Sequence, residues 1–381
     1  MEGPAEVSPT VTPTDEAPDL QYSEVEQELR IHVRALLAAR APQSETLART
    51  ESEQPVDTAL WRALGAELGV TGLAVPEKSG GAGASWRETA VVLEELGRAV
   101  APVPFFGSAV LATAALLAAD ETVLLPQVAS GARVAALAVR FATAPGAAFP
   151  ADVEVRDGLL YGRVRLVADA RTADVLLVPA LAGGRPALLA VEEFTATPVT
   201  SLDMTRPLAD LAFAGAPGRL VAEGDEAVGA LDAALTTGAA LLASEQLGVA
   251  EWALETTVAY VKERHQFGRP VGSFQAVKHR LADLWVSVAQ LRAVARYAAD
   301  AVAGGSPDAK VAAALAQAFA SQVTVAATED AVQLHGGIGF TWEHPAHLYL
   351  KRAKSASIAL GTADRHRAAL AGLVDLPSPT L

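Results

Sequence analysis

Apolar positions along the chain change their period twice. From Ser23 onward Val25, Leu29, Val33 and Leu36 recur at helical intervals, behind a Ser23/Glu26 pair with capping-box spacing. A second such pair, Ser85 with Glu88, opens the helix WRETAVVLEELGRA. Between the two, ALWRALGAELGVTGLAVPEKSGGAGAS predicts a helix and then a turn-rich loop, and 108–119 a buried helix. An N-terminal helical domain over 21–120 is expected.

Near residue 121 the texture becomes that of strands. VEVRDGLLYGRVRLV carries Asp157-Gly158, a strong hairpin signal, followed by Val164 and Leu166 alternating with Arg163 and Arg165. VLLV at 175–178, ALLAV at 187–191 and LADLAFAG at 208–215 follow with Gly and Pro punctuation. The expected middle domain, 121–225, is a small antiparallel β barrel or sandwich. From 226 to 381 helical periods return over 228–263, 274–302, 308–332, 343–355 and 363–374 with short connections, which predicts a bundle. Ala240, Leu247, Leu254 and Val261 mark one apolar side of the first of these helices and Leu241, Gly248 and Trp252 another. Two apolar sides predict burial on one and subunit association on the other. The fold class is α+β, multidomain. Residues 1–20, rich in Pro, Thr and acidic residues, are expected to be a disordered tail.

Composition narrows the function. The 381-residue chain is 51% apolar, with 44 acidic and 30 basic residues, a net charge of -14 and no cysteine. The acidity opposes binding to nucleic acid or anionic membranes, and the missing cysteine removes disulfides, thiolate nucleophiles and cysteine-held metals. Only acidic charges precede Arg30, so the basic start of a secretory signal is absent and a cytoplasmic location is expected. The apolar stretch Ala109 to Ala119 is too short to span a bilayer. Neither a phosphate-loop pattern nor a nucleophile elbow occurs. His344 and His347 lack a third ligand in sequence, so no metal is expected.

Two segments carry more information: YVKERHQFGRPVGSFQAVKHRLADL (260–284) and AVQLHGGIGFTWEHPAHLYLKRAKS (331–355). Both resemble the C-terminal signatures of the acyl-CoA dehydrogenase family. The helix–β–helix order and the segments at 60–85 and 91–102 are similar to that family too. The resemblance implies FAD as cofactor and α,β-desaturation of an acyl-CoA thioester, with electrons passed to an electron-transfer flavoprotein or similar acceptor. It further implies that Arg264, Phe267, Gln275, Gln333, Gly336 and Gly337 grip the adenosine-diphosphate part of FAD held by the neighbouring subunit, and that Thr362 contacts cofactor. Arginine suits pyrophosphate and a Gly-rich turn admits an anion close to backbone N–H groups.

Against that pattern the catalytic positions are vacant. The glutamate that precedes Gly-Thr in most members is Leu360, and the alternative position on the first long C-terminal helix is Gly238, followed by Ala239 where an arginine is usual. Where the flavin ring is normally flanked, the chain has AVRFATAP (138–145) and Leu166-Val167-Ala168. Glu245 lies about 10 Å along the helix from Gly238, beyond direct reach. The resemblance therefore implies a non-catalytic subunit of a heteromeric, α2β2 enzyme, similar to actinobacterial ones acting on steroid side-chain thioesters, with the acyl-CoA held mainly by the catalytic partner. A self-sufficient homotetramer using Glu245 or Asp364 as base, and a flavin-free scaffold, are the alternatives.

Overall fold

The computed structural model describes residues 20–377, so the tail expected over residues 1–20 lies, but for Leu20, outside the described ones. Its N-terminal part is helical: α1 (Glu24–Arg40), α2 (Gln43–Thr50), α3 (Thr58–Arg62), α4 (Trp86–Ala99), α5 (Thr113–Ala118) and α6 (Leu125–Ala129). Both capping boxes form. Ser23 N–H donates to Glu26 at 2.7 Å and Ser85 N–H to Glu88 at 2.9 Å. A π-helical turn, Phe106–Ala112, runs directly into α5.

The middle part is one sheet: β1 (Ala135–Leu137), β2 (Val153–Arg156), β3 (Leu159–Ala168), β4 (Val175–Ala182), β5 (Arg185–Val191), β6 (Thr195–Val199), β7 (Leu208–Pro217) and β8 (Arg219–Glu223). The β2–β3 hairpin turns at Asp157 and Gly158, whose φ values of 50° and 78° are those of a tight turn matched to strand twist. The sheet follows the order β6-β7-β3-β2-β4-β5-β8, with β1 paired to β4. The expectation of a wholly antiparallel domain is corrected: β4 runs parallel to both β1 and β2. The reason is that β3 is already flanked by β2 and β7, which leaves the far edge of β2 for the crossover that follows.

The C-terminal part comprises α7 (Asp225–Glu263), a two-stranded ribbon β9 (His265–Gln266) and β10 (Arg269–Pro270), then α8 (Gln275–Ala303), α9 (Ala309–His335), α10 (Ala346–Ala356) and α11 (Ala363–Leu373). Helix α7 is the axis of the chain. It crosses α4 so closely that a Cβ on Gly248 would stand 1.9 Å from the Glu94 carbonyl oxygen, and one on Gly97 would stand 2.1 Å from that of Glu245. The association face expected on α7 is corrected for the same reason: Ala240, Leu247, Leu254, Val261 and Leu241 are buried inside the chain, and Trp252 stacks on Tyr349 at 3.4 Å. Helices α7 and α9 are apolar and long enough to cross a bilayer by length and composition, yet most of each apolar window is buried against neighbouring elements, as in core helices. Exposed apolar side chains gather elsewhere, at Trp285 and Val286 on α8 and at Phe267, Phe340 and Trp342 near the ends of α7 and α9.

Candidate functional site

Four segments that sequence alone only aligns meet in space. Phe141 N–H donates to the Leu166 carbonyl at 3.0 Å, and Leu360 N–H donates to the Phe141 carbonyl at 2.8 Å. A Cβ on Gly238 would lie 2.3 Å from Leu111 Cδ2 and 3.0 Å from Leu360 Cδ1. The two vacant base positions thus border one space, and leucine side chains fill it. Leu360 is fully buried and holds a left-handed backbone at φ 52°, fastened by His366 Nε2 at 3.0 Å from its carbonyl oxygen. Leu166 is also left-handed, φ 56°, where the β3–β7 register slips between Val164 and Val167. A cleft of about 480 Å³ between Ala144–Gly146, α9 and α11 is lined by Thr236 and His366 but not by Leu360. Arg140 leans on Asp152 at 3.0 Å.

Neither candidate substitute base is free. Glu245 is buried, with one carboxylate oxygen 3.1 Å from Arg352 Nη1 and the other paired with Arg206. Burial works to raise its pKa, but Arg206 and Arg352 outweigh that and hold it below the ordinary value. Asp364 is 92% exposed and pairs with Arg367 at 2.8 Å. Sequence reasoning missed the companions of Glu245: Arg352 also lies 2.6 Å from Asp203 and donates to the Thr205 hydroxyl at 2.6 Å. Arg206 follows Asp203 by three residues, but nothing near Arg352 in the sequence points to them.

The other group of predicted residues sits at the far end of α7. Gly238 and the helix-ending Arg264 are separated by about 39 Å along that helix. Arg264 is exposed, and among the described residues its guanidinium has no ion-pair or hydrogen-bond partner, although its backbone is fixed by Tyr260 at 2.9 Å and Val271 at 2.7 Å. The ribbon tip that follows places Phe267 in solvent, 89% exposed, its ring edge-on to Phe274 at 6.2 Å. Gln275 begins α8 and is exposed. The second signature joins this group because His335, at the end of α9, stacks on Tyr260 at 4.4 Å. Gln333, Gly336 and Gly337 are all exposed there. Gly336 requires glycine for its φ of 62°, and a Cβ at either glycine would meet nothing within 4 Å. Within this chain the space beside both glycines is open. Thr362 does not join the group: its hydroxyl caps α11, beside Leu360.

His344 finds the neighbour that sequence spacing did not reveal. Its ring lies 4.4 Å from that of His335, and His347 stacks on Trp342 at 4.3 Å. Burial first, then His335 and His347, push the His344 pKa down to about 4. The His335 and His344 rings meet at a tilt of 44°, and among the described residues no group of His, Asp and Glu is arranged to hold a metal.

The chain as a whole matches a known family. The acyl-CoA dehydrogenase N-terminal domain profile matches residues 23–131 and the C-terminal domain profile residues 229–373. The chain is 40% identical to acyl-CoA dehydrogenase IpdE2 of Mycolicibacterium smegmatis over 339 residues, covering 89% of this chain and 95% of that one. Among solved structures it resembles the Tcur3481-Tcur3483 steroid ACAD, with a TM-score of 0.82, 32% identity and 92% and 98% of the two chains covered. It also resembles the ChsE4-ChsE5 complex of Mycobacterium tuberculosis, with a TM-score of 0.84, 29% identity and 95% and 100% covered.

Proposed function

The chain belongs to the acyl-CoA dehydrogenase family, and from that premise we propose that it is the base-deficient, flavin-anchoring subunit of a heteromeric acyl-CoA dehydrogenase. The observation that carries this reading is the contrast along α7. At one end Leu111 and Leu360 fill the space around Gly238; about 39 Å away Arg264 stands unpaired beside an open glycine turn.

A flavin ring does not fit the first place. Phe141, Leu166 and Leu360 are tied together there by backbone hydrogen bonds, and the atoms nearest a Cβ at Gly238 are leucine carbons of Leu111 and Leu360. The second place fits the other half of the cofactor. Arg264 would pair with pyrophosphate, the N–H groups at Gly336 and Gly337 would approach it without a Cβ in the way, and Phe267, Gln275 and Gln333 would cover the nucleotide. FAD, when bound, supplies the hydride acceptor for α,β-desaturation. This chain's residues anchor and orient it, while proton abstraction and thioester binding fall to the partner's residues. The neighbours that are complexes or steroid enzymes support an unlike dehydrogenase chain as partner, in an α2β2 assembly, and a bulky steroid-derived acyl-CoA as substrate. An electron-transfer flavoprotein as acceptor and a cytoplasmic setting belong to the same reading.

Co-expression with a dehydrogenase-like partner, followed by flavin quantification per chain, tests it. The isolated chain should be flavin-poor and inactive, and the complex should hold one FAD per pair of unlike chains. Turnover by the homogeneous single chain would refute it.

A further inference from the structure

Arg264 and the Gly336–Gly337 turn stand at the ends of two different helices, and three rings join them. Tyr260, half-buried one turn before Arg264, stacks on His335 with centroids 4.4 Å apart and planes 25° from parallel. His344, in the segment ahead of α10, sets its ring 4.4 Å from the same imidazole at a tilt of 44°. The Tyr260 carbonyl accepts the Arg264 N–H at 2.9 Å, and the Arg264 carbonyl accepts the Val271 N–H at 2.7 Å. Tyr260 is thus about 6 Å along α7 from the arginine, while His335 directly precedes Gly336.

His335 is the last buried residue of α9, 2% exposed, between the exposed Gln333 and Gly336. Two contacts fix its ring. Nδ1 lies 2.6 Å from the Ala331 carbonyl oxygen, which can only accept, so that nitrogen carries the proton. The 336–340 turn folds back on the same residue, where a Cβ on Gly339 would stand 2.8 Å from His335 Cβ. Burial keeps the imidazole neutral by lowering its pKa, which leaves Nε2 bare, and among the described residues Nε2 has no hydrogen-bond partner. In His344 the roles reverse, since Nδ1 accepts the Ala346 N–H at 3.2 Å and the neutral ring then bears its proton on Nε2. The two imidazoles are opposite tautomers and pack without like charges. A flexible aliphatic side chain would fill this space without fixing an angle; a planar ring pinned through Nδ1 fixes both distance and angle.

Resting on the flavin-anchoring function proposed above, we propose that His335 is a positioning residue: packed between Tyr260 and His344, it holds Arg264 and the N–H groups of Gly336 and Gly337 in register for one pyrophosphate. It touches no cofactor itself. Setting both halves of the grip before binding removes the ordering cost that a loose helix end and a loose turn would add.

The test is FAD retention on dilution by the complex with the dehydrogenase-like partner, with Arg264→Ala as the reference. Tyr260→Leu and His335→Leu, which break the row of rings, should each weaken retention by about two- to tenfold, the change that corresponds to one aromatic pair. Tyr260→Phe, which keeps the ring, should match the wild type. In the Arg264→Ala background the same leucine substitutions should lose most of their effect, because a seat acts through the group it seats, whereas an independent structural role would add its effect in full. Leucine variants that hold FAD as the wild type does while Arg264→Ala releases it, or effects that simply add, overturn the positioning role and leave the anchoring function standing. If Arg264→Ala itself keeps full affinity, the anchoring function falls and the positioning role with it. Should His335→Leu fail to fold, the half-buried Tyr260 decides alone.

Discussion

A Cβ on Gly238 would stand 3.0 Å from Leu360 Cδ1, so the two places from which family members deliver a catalytic base are two walls of one space. In this chain Leu111 closes the third wall, 2.3 Å from the same hypothetical Cβ. On the function proposed above, the missing base and the missing room for substrate have this one packing arrangement in common, so restoring one residue should not undo it.

Leu360→Glu should accordingly yield no activity in the isolated chain. It should also destabilise the fold by about 3–5 kcal/mol, the range for a buried charge without a partner. The side chain it replaces is fully buried, and the neighbouring His366 ring is already engaged at the Leu360 carbonyl. Thermal unfolding and an acyl-CoA assay on the same preparation check both halves, and activity without loss of stability would count against the closed space.

Gly248→Ala should loosen the α4–α7 crossing, because its Cβ would meet the Glu94 carbonyl oxygen at 1.9 Å and backbone cannot step aside as a flexible side chain does. The cost expected for such overpacking is about 1–3 kcal/mol. Denaturant unfolding measures it, and a neutral result would mean that α4 can shift along α7.

What was legible in the sequence was local. Ser23 with Glu26 and Asp157 with Gly158 carry their own geometry within a few residues, and both formed as expected. The parallel placement of β4 beside β1 and β2 depends on where a crossover finds a free strand edge, which no local pattern records. Glu245 reads from sequence as a helical acid bonded to a neighbouring element, but its partners, Arg206 from the middle part and Arg352 from a helix 107 residues further on, leave no local trace. Trp252 was misread because helical periodicity cannot tell burial within one chain from burial against a second.

Acid should destabilise the histidine stack. The His344 pKa, near 4 in the fold, lies below the ordinary 6.5, so the stability it contributes is whole above 6.5 and is lost as pH falls toward 4. His344→Phe keeps a ring against His335 without a titrating nitrogen and should lose less stability than wild type between pH 6.5 and 4.5. Equal acid sensitivity in a thermal-shift series would exclude His344 as a source.

Arg264→Ala should leave the fold of this chain within about 0.5 kcal/mol of wild type, because among the described residues its guanidinium bonds to nothing. In the complex with the partner chain it should weaken FAD retention by about 1.5–3 kcal/mol, the range for hydrogen bonds to a charged group. Flavin released on dilution measures the second quantity and calorimetry the first. Unchanged flavin affinity would remove Arg264 from the cofactor grip.

Two tryptophans separate folding from assembly. Trp252 stacks on Tyr349, whose hydroxyl donates to the Arg98 carbonyl at 2.7 Å, so Trp252 lies at a junction of α4, α7 and α10. Truncation to alanine there should cost about 3–5 kcal/mol of fold stability whatever the oligomeric state. Trp285 on α8 is 61% exposed and adjoins the exposed Val286, on the helix that Gln275 begins. Trp285→Glu should leave the isolated chain as stable as wild type while weakening its association with the partner and, with it, the flavin that the partner holds. Light scattering read alongside flavin absorbance distinguishes the outcomes. If the Trp285→Glu assembly stays intact with its flavin, the α8 face is not the contact, and the apolar tip at Phe267 and Phe340 must carry the association instead.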